Sequence, residues 1–227
     1  MNLIVLEQVG STNTVLKDLL RSGEAGCKTV VYSESQTSGY GRRGKFWYSE
    51  TEKNISVSLS LRVFDGDSLM SLAAGVAVIE ALTTVCGADL VVGLKWPNDL
   101  VVGGKKLCGI SCEKIGEYIV LGIGVNVNNA NFPEEIAETA TSLYLETGKI
   151  WNLIEIRNEI IKRIFAEVDN KIIDKARQHC VNLGQKVRII NNEKVIAQGI
   201  AQDLNADGSI KINGKDYYSG EISLRME

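Results

Sequence analysis

The chain has 227 residues, of which 44% are apolar and 23% charged, with a formal net charge of −3. These proportions fit a globular protein of one large domain, or one medium and one small. They exclude a global basic field that would draw the chain onto nucleic acid or anionic lipid, so any phosphate binding must come from a local patch.

Residues 1–10 lack the basic start of a signal peptide, and Glu7 interrupts their short apolar run. Residues 3–6 read as a short strand. Gly10-Ser11-Thr12-Asn13 then opens a helix with Ser11 as N-cap; Val15, Leu16, Leu19 and Leu20 give it an apolar face, and Gly23 ends it. Residues 28–33 are strand-like, and a Gly- and Arg-rich loop occupies 37–47. Residues 54–62 alternate with period two through Ile55, Val57, Leu59 and Leu61. Leu69, Leu72, Val76, Ile79 and Leu82 mark a long helix that starts within 65–68. Its most apolar part, 71–82, is too short to span a bilayer.

Residues 90–95 form the next predicted strand. Segments 99–102 and 105–113 flank Gly103-Gly104, a two-residue hairpin signal, and a turn at Ile115-Gly116 leads into 118–127. Three neighbouring strands joined by tight turns make an antiparallel meander rather than βαβ repeats. A second long helix is predicted over 153–168, with Leu153, Ile156, Ile160, Ile164 and Val168 on one face. After Gly184 the texture changes to short strands at 186–190, 195–202, 209–212 and 217–224, with turns at Asp207-Gly208 and Asn213-Gly214. This is a small barrel of roughly 44 residues, marginal as a lone core and expected to lean on the larger domain. The pattern gives an α+β fold with a mixed, largely antiparallel sheet, divided as 1–183 and 184–227.

The five cysteines, Cys27, Cys86, Cys108, Cys112 and Cys180, are odd in number and form no CxxC pair. Reduced thiols and a cytoplasmic location are expected. With His179 the single histidine, no metal-ligand set is expected, and a surface role is assigned to His179.

Gly39-Tyr40-Gly41-Arg42-Arg43-Gly44-Lys45 matches both a dinucleotide-binding GxGxxG and the start of a P-loop. Both motifs require the glycine turn to open a helix. Here Phe46-Trp47-Tyr48 and a strand follow, and Phe46 stands where a P-loop needs Ser or Thr, so both readings are rejected. A solvated hairpin tip has little use for three glycines beside three cations and an aromatic pair. Glycines admit close ligand approach, arginines fork onto carboxylate or phosphate, and Trp47 can stack on a purine. Anion binding is the favoured reading.

Lys95-Trp96-Pro97-Asn98-Asp99-Leu100, followed by Lys105-Lys106-Leu107-Cys108-Gly109-Ile110, is more specific. Together with the loop it resembles the biotin protein ligases, which carry Gly-Arg-Gly-Arg-x-Gly-Arg-x-Trp, then Lys-Trp-Pro-Asn-Asp, then a lysine before Leu-x-Gly-Ile. Ser11-Thr12-Asn13, Gln36, residues 122–128 and residues 219–225 agree in order, so the resemblance covers nearly the whole chain. It implies a class II aminoacyl-tRNA synthetase-like catalytic domain and an SH3-like C-terminal domain. It also implies formation of biotinyl-5′-adenylate from biotin and ATP with Mg2+, transfer to a lysine of a biotin carboxyl carrier domain, and a homodimer.

By the same resemblance Lys106 and Arg42 are the catalytic candidates, Lys106 bridging the biotin carboxylate and the α-phosphate. Ser11, Thr12, Asn13, Gln36, Gly39, Gly41, Lys106 and Gly109 are assigned to biotin. Arg42, Lys45, Trp47, Asn126 and Arg225 are assigned to ATP. Arg43 is read as solvated, and Asp99 either orients a lysine, holds magnesium or caps its turn. Two positions depart from the family pattern: Tyr40 replaces an arginine and supplies no charge, and Lys45 replaces another, keeping charge without the fork. The chain reaches Ser11 at once, so no helix-turn-helix domain and no operator binding are expected. The rival readings are a lipoate ligase, against which the Lys95–Asp99 run and the Gln36–Trp47 loop argue, and a small RNA-binding module, which the net charge disfavours.

Overall fold

Strand β3 (Asn54–Arg62) organises the larger unit. Its alternation places Ile55, Val57 and Leu59 on one face and Asn54, Ser56, Ser58 and Ser60 on the other, and both faces are buried. The apolar face joins the main core, which α2 (Met70–Cys86) and α5 (Leu153–Ile164) cover. The serine face lies beneath α1 (Thr12–Ser22). The computed structural model describes residues 1–63, 69–166, 171–191, 194–218 and, by backbone, 223–226.

Seven strands form the large sheet in the order β1-β2-β3-β7-β6-β5-β4. β1 (Asn2–Val9) and β2 (Thr29–Gln36) are parallel, because α1 carries the chain back between them. Every other pairing, through β4 (Gly93–Lys95), β5 (Asp99–Val102), β6 (Lys105–Ile115) and β7 (Tyr118–Asn126), is antiparallel. The β5–β6 turn is the one the sequence signals: Gly103 and Gly104 have φ of 55° and 84°, left-handed values that an L side chain resists.

A second sheet, all antiparallel, runs β11-β10-β9-β8-β12. Its strands are β8 (Lys186–Asn191), β9 (Lys194–Leu204), β10 (Ile210–Ile212), β11 (Lys215–Tyr217) and β12 (Ser223–Met226). The architecture is thus the expected α+β, a large mixed sheet with a separate small one. No helix among the described residues is long and apolar enough to cross a membrane.

Several elements differ from expectation. β1 extends beyond residues 3–6, and the strand placed at 90–95 is confined to Gly93–Lys95. Ser11 has the extended backbone of an N-cap, but its hydroxyl makes no capping bond; the side chain is buried beside a cleft. Helices α3 (Glu134–Ala137) and α4 (Leu143–Thr147) were not anticipated, since fewer than two turns develop almost no apolar period, whereas α6 (Ile172–His179) is the helical stretch read around His179. α4 is specified by its caps instead, with the Leu145 N–H donating to Ser142 Oγ and Gly148 closing the other end. The α2 start placed at 65–68, Val168, and residues 219–222 lie outside the described residues.

Trp96 joins the two sheets. It is 1% exposed, its backbone N–H donates to Asn182 Oδ1 (2.7 Å), and its indole N–H donates to the Gly208 carbonyl (3.0 Å) in the β9–β10 turn. Arg177 of α6 adds bonds to Asp203 and to the Leu204 carbonyl. Trp96→Ala should therefore lower the unfolding free energy by about 3–5 kcal/mol in a urea titration. Trp96→Phe, which keeps most of the packing but loses the indole donor, should lower it by about 1 kcal/mol. Unchanged midpoints for both variants would contradict the anchoring role.

Candidate active site

The site begins as a gap in side chains. The registers of β3, β7 and β6 align two rows of small residues across three strands, Ser56–Gly124–Gly109 and Ser58–Gly122–Ser111. Above these rows opens a cleft of about 850 Å³, counting its solvent-open side. That volume suits a small ligand. The glycines admit close neighbours. A Cβ at Gly124 would lie 2.4 Å from the Trp47 indole, and one at Gly122 would lie 2.4 Å from Asn13 Oδ1.

The N-terminus of α1 forms one wall. The Thr12 N–H donates to Gln36 Oε1 (2.8 Å), and Gln36 Nε2 donates to Ser56 Oγ (3.2 Å). Ser58 Oγ donates to Asn13 Oδ1 (2.6 Å), while Asn13 Nδ2 donates to Ser111 Oγ (3.0 Å) and Glu113 Oε1 (3.2 Å). This end of the cleft is a closed set of fixed donors and acceptors.

The Gly-Arg loop forms the opposite wall. The Gly41 N–H donates to the Lys45 carbonyl and the Trp47 N–H to the Gly39 carbonyl, so the loop folds back on itself as a hairpin. A single 3-10 turn (Arg42–Gly44) and then β3 follow Gly41, with no α-helix to face a phosphate, which removes the geometric basis of the P-loop and dinucleotide readings. Arg42 Nη1 donates to Asn98 Oδ1 (2.9 Å), and Asn98 is locked by exchanging bonds with Ile110. Burial lowers the Arg42 pKa while Asp99 pulls it back up; a guanidinium so placed keeps its charge. Lys106 Nζ lies 2.6 Å from Asp99 Oδ1 and 5.5 Å from the centre of the Trp47 ring. Arg43, Lys45 and Phe46 are exposed at the rim.

Four cations, Arg42, Arg43, Lys45 and Lys106, thus face one carboxylate, Asp99, with no histidine in the lining. Such a cleft favours an anionic ligand and offers no imidazole for proton transfer. Among the described residues no three His, Cys, Asp or Glu side chains converge as a metal site.

Of the residues singled out from sequence, Ser11, Thr12, Asn13, Gln36, Gly41, Arg42, Lys45, Trp47, Lys106 and Gly109 line this one cleft. Gly39 does not; it sits beneath the loop as the acceptor for Trp47. Asn126, assigned to ATP from the resemblance, is not among the lining residues. It is buried away from the lining, its carboxamide accepting from Asn54 and donating to the Thr141 and Lys106 carbonyls, so it ties strands together. Arg225 lies in β12 opposite Arg188 of β8, and its side chain is outside the described residues. Ser56, Asn98 and Ser111 were missed. The signal for the first was the serine alternation in β3, legible as a polar face but not as a buried one.

The family model for the biotin/lipoate A/B protein ligase family matches residues 5–128, and that for the biotin protein ligase C-terminal domain matches 183–225. The chain is 34% identical over 221 residues to the biotin–[acetyl-CoA-carboxylase] ligase of Mycobacterium tuberculosis, covering 91% of this chain and 81% of that one. It is 28% identical over 240 residues to the bifunctional ligase/repressor BirA of Escherichia coli, covering 97% and 73%. The structure of a biotin protein ligase from Aquifex aeolicus in complex with biotin and ATP superposes with a TM-score of 0.89 at 31% identity, covering 100% of this chain and 99% of that one. The chain therefore belongs to the biotin/lipoate protein ligase family and, within it, to the biotin protein ligases.

Proposed function

We propose that the cleft joins biotin to ATP as biotinyl-5′-adenylate and then passes the biotinyl group to a lysine of a biotin carboxyl carrier protein or domain. The observation that supports this reading is that Lys106, ion-paired to Asp99 and 5.5 Å from the Trp47 ring, lines the same cleft as the hydrogen-bonding residues of α1 and the cationic loop.

In the first step a biotin carboxylate oxygen attacks the α-phosphorus, the bond to the bridging β-phosphate oxygen breaks, and pyrophosphate leaves. A carboxylate with a pKa of about 4–5 is already ionised at neutral pH, so no general base is required. The obstacle is repulsion between two anions, which cations and backbone N–H groups offset while holding the groups in line. In the second step the acceptor amine attacks the acyl carbon, the carbon–oxygen bond to AMP breaks, and the amine loses a proton.

Lys106 bridges carboxylate and α-phosphate; Arg42 and Lys45 hold phosphate oxygens; Trp47 covers the adenylate side. Ser11, Thr12, Asn13, Gln36 and the Gly41 and Gly109 backbones address biotin. Magnesium would accompany the nucleotide and offset phosphate charge; Asp99, the single carboxylate lining the cleft and ion-paired to Lys106, is the residue that would hold it. The decisive assay mixes the protein with ATP, radiolabelled biotin and a carrier domain; label must become acid-stable on the carrier, and an unlabelled carrier would refute the reading.

Lys106→Ala removes a cation that acts on developing charge. Its loss should raise the barrier by about 2.7–4 kcal/mol, slowing biotin-dependent pyrophosphate release a hundredfold or more. Near-normal release would contradict the role. The loop wall supports a second expectation. Trypsin should cut after Arg42, Arg43 or Lys45 in the free protein and be blocked when biotin and ATP are both present. Equal cleavage in both states would count against closure of the loop over the ligands.

A further inference from the structure

The wall formed by α1 is built around an ion pair that does not line the cleft. Lys17 Nζ of α1 lies 2.8 Å from Glu113 Oε2 of β6. Burial works against the ammonium, but the hydrogen bond to Glu113 and the attraction of Glu113, with Tyr40 beside it, leave the Lys17 pKa raised. Tyr40 also lays its ring 5.2 Å from the same ammonium, so the Gly-Arg loop touches the pair at the position where the family pattern has arginine.

We infer that the Glu113 carboxylate, paired with Lys17, is a positioning residue that fixes the hydrogen-bond polarity of the ring-binding end of the cleft. An ammonium can only donate and a carboxylate can only accept. Asn13 must therefore turn its NH2 toward Glu113 Oε1 (3.2 Å), and the second N–H of that group falls on Ser111 Oγ (3.0 Å). Its oxygen then faces Ser58, which donates to it at 2.6 Å. A flipped Asn13 would set its oxygen against the carboxylate and draw the Ser111 proton toward itself. With Asn13 held, the Ser111 hydroxyl has an occupied lone pair and a proton left for the cleft it lines.

Gln36 is oriented independently in the same sense. Its oxygen is held by the Thr12 N–H and its NH2 donates to Ser56, leaving one amide proton. Ser111 therefore offers a donor from β6 and Gln36 a separate one above β3, and the Ser111 donor suits a carbonyl oxygen. On the biotin reading, on which this inference rests, that oxygen is the ureido oxygen. An analogue carrying N–H there, 2-iminobiotin, would meet donor against donor.

The test is calorimetric binding of biotin and of 2-iminobiotin to the full chain and its variants. The unmodified protein should bind biotin at least about tenfold more tightly than the analogue, the scale of one mismatched hydrogen bond. Glu113→Gln keeps its amide oxygen on the Lys17 ammonium and turns its NH2 toward Asn13, which removes the preference for the native Asn13 orientation. It should weaken biotin about tenfold and narrow the preference by a similar factor. Loss of the negative charge alone would weaken the cationic analogue and widen the preference, so narrowing reports the amide. Lys17→Arg, which keeps the cation, should preserve both affinities.

Glu113→Gln with unchanged affinities, or with equal losses for both ligands, overturns the inference. Should that variant not fold, Ser111→Ala removes the donor without touching the ion pair. It must weaken biotin and spare the analogue, and equal weakening overturns the inference. If the unmodified protein binds neither ligand, the biotin reading itself falls, and this inference with it.

Discussion

Everything at the cleft depends on the absence of side chains where β3, β7 and β6 run side by side. A strand normally raises a side chain every second residue on each face. Here six successive places on one face hold only Gly or Ser, and the register of two strand pairs stacks them into rows. An aromatic ring and a carboxamide can then rest directly on the sheet, as Trp47 and Asn13 do. The sheet becomes a floor, and the walls need only stand at its edges.

The floor carries a second condition. The serines of β3 are removed from water, and a hydroxyl buried without a partner destabilises a fold by about 1–3 kcal/mol. Each therefore has a partner: Ser56 accepts from Gln36, Ser58 donates to Asn13, and Ser60 accepts from the Thr29 N–H. Two of these partners come from the residues that form the cleft wall. The groups that keep β3 satisfied are thus among those that face a ligand, and α1 cannot shift without leaving buried hydroxyls unpaired.

Much of this was legible in the amino-acid order. The β5–β6–β7 meander followed from Gly103-Gly104 and the Ile115-Gly116 turn, because hairpin chemistry is local. Ten residues chosen for their chemistry, from Ser11 to Gly109, do line a single cleft. What stayed hidden depends on contacts distant in sequence. Whether the polar face of β3 meets water or α1 cannot be read from its alternation. Asn126 carries the same amide as Asn13, yet three buried partners from other segments make it a structural tie. Trp96, within the most specific motif, turned out to serve the joint between sheets, which no local pattern encodes.

That joint has a mechanical corollary. Trp96 is gripped from below by the β9–β10 turn, and two residues later Asn98 grips Arg42 from the side. Only Pro97 separates the two grips, and its ring removes one backbone freedom. A tilt of the small sheet is therefore transmitted along a short stiff lever to the guanidinium beside the cleft. The C-terminal sheet, which lends no described side chain to the lining, is still linked through three consecutive residues to one of its charges.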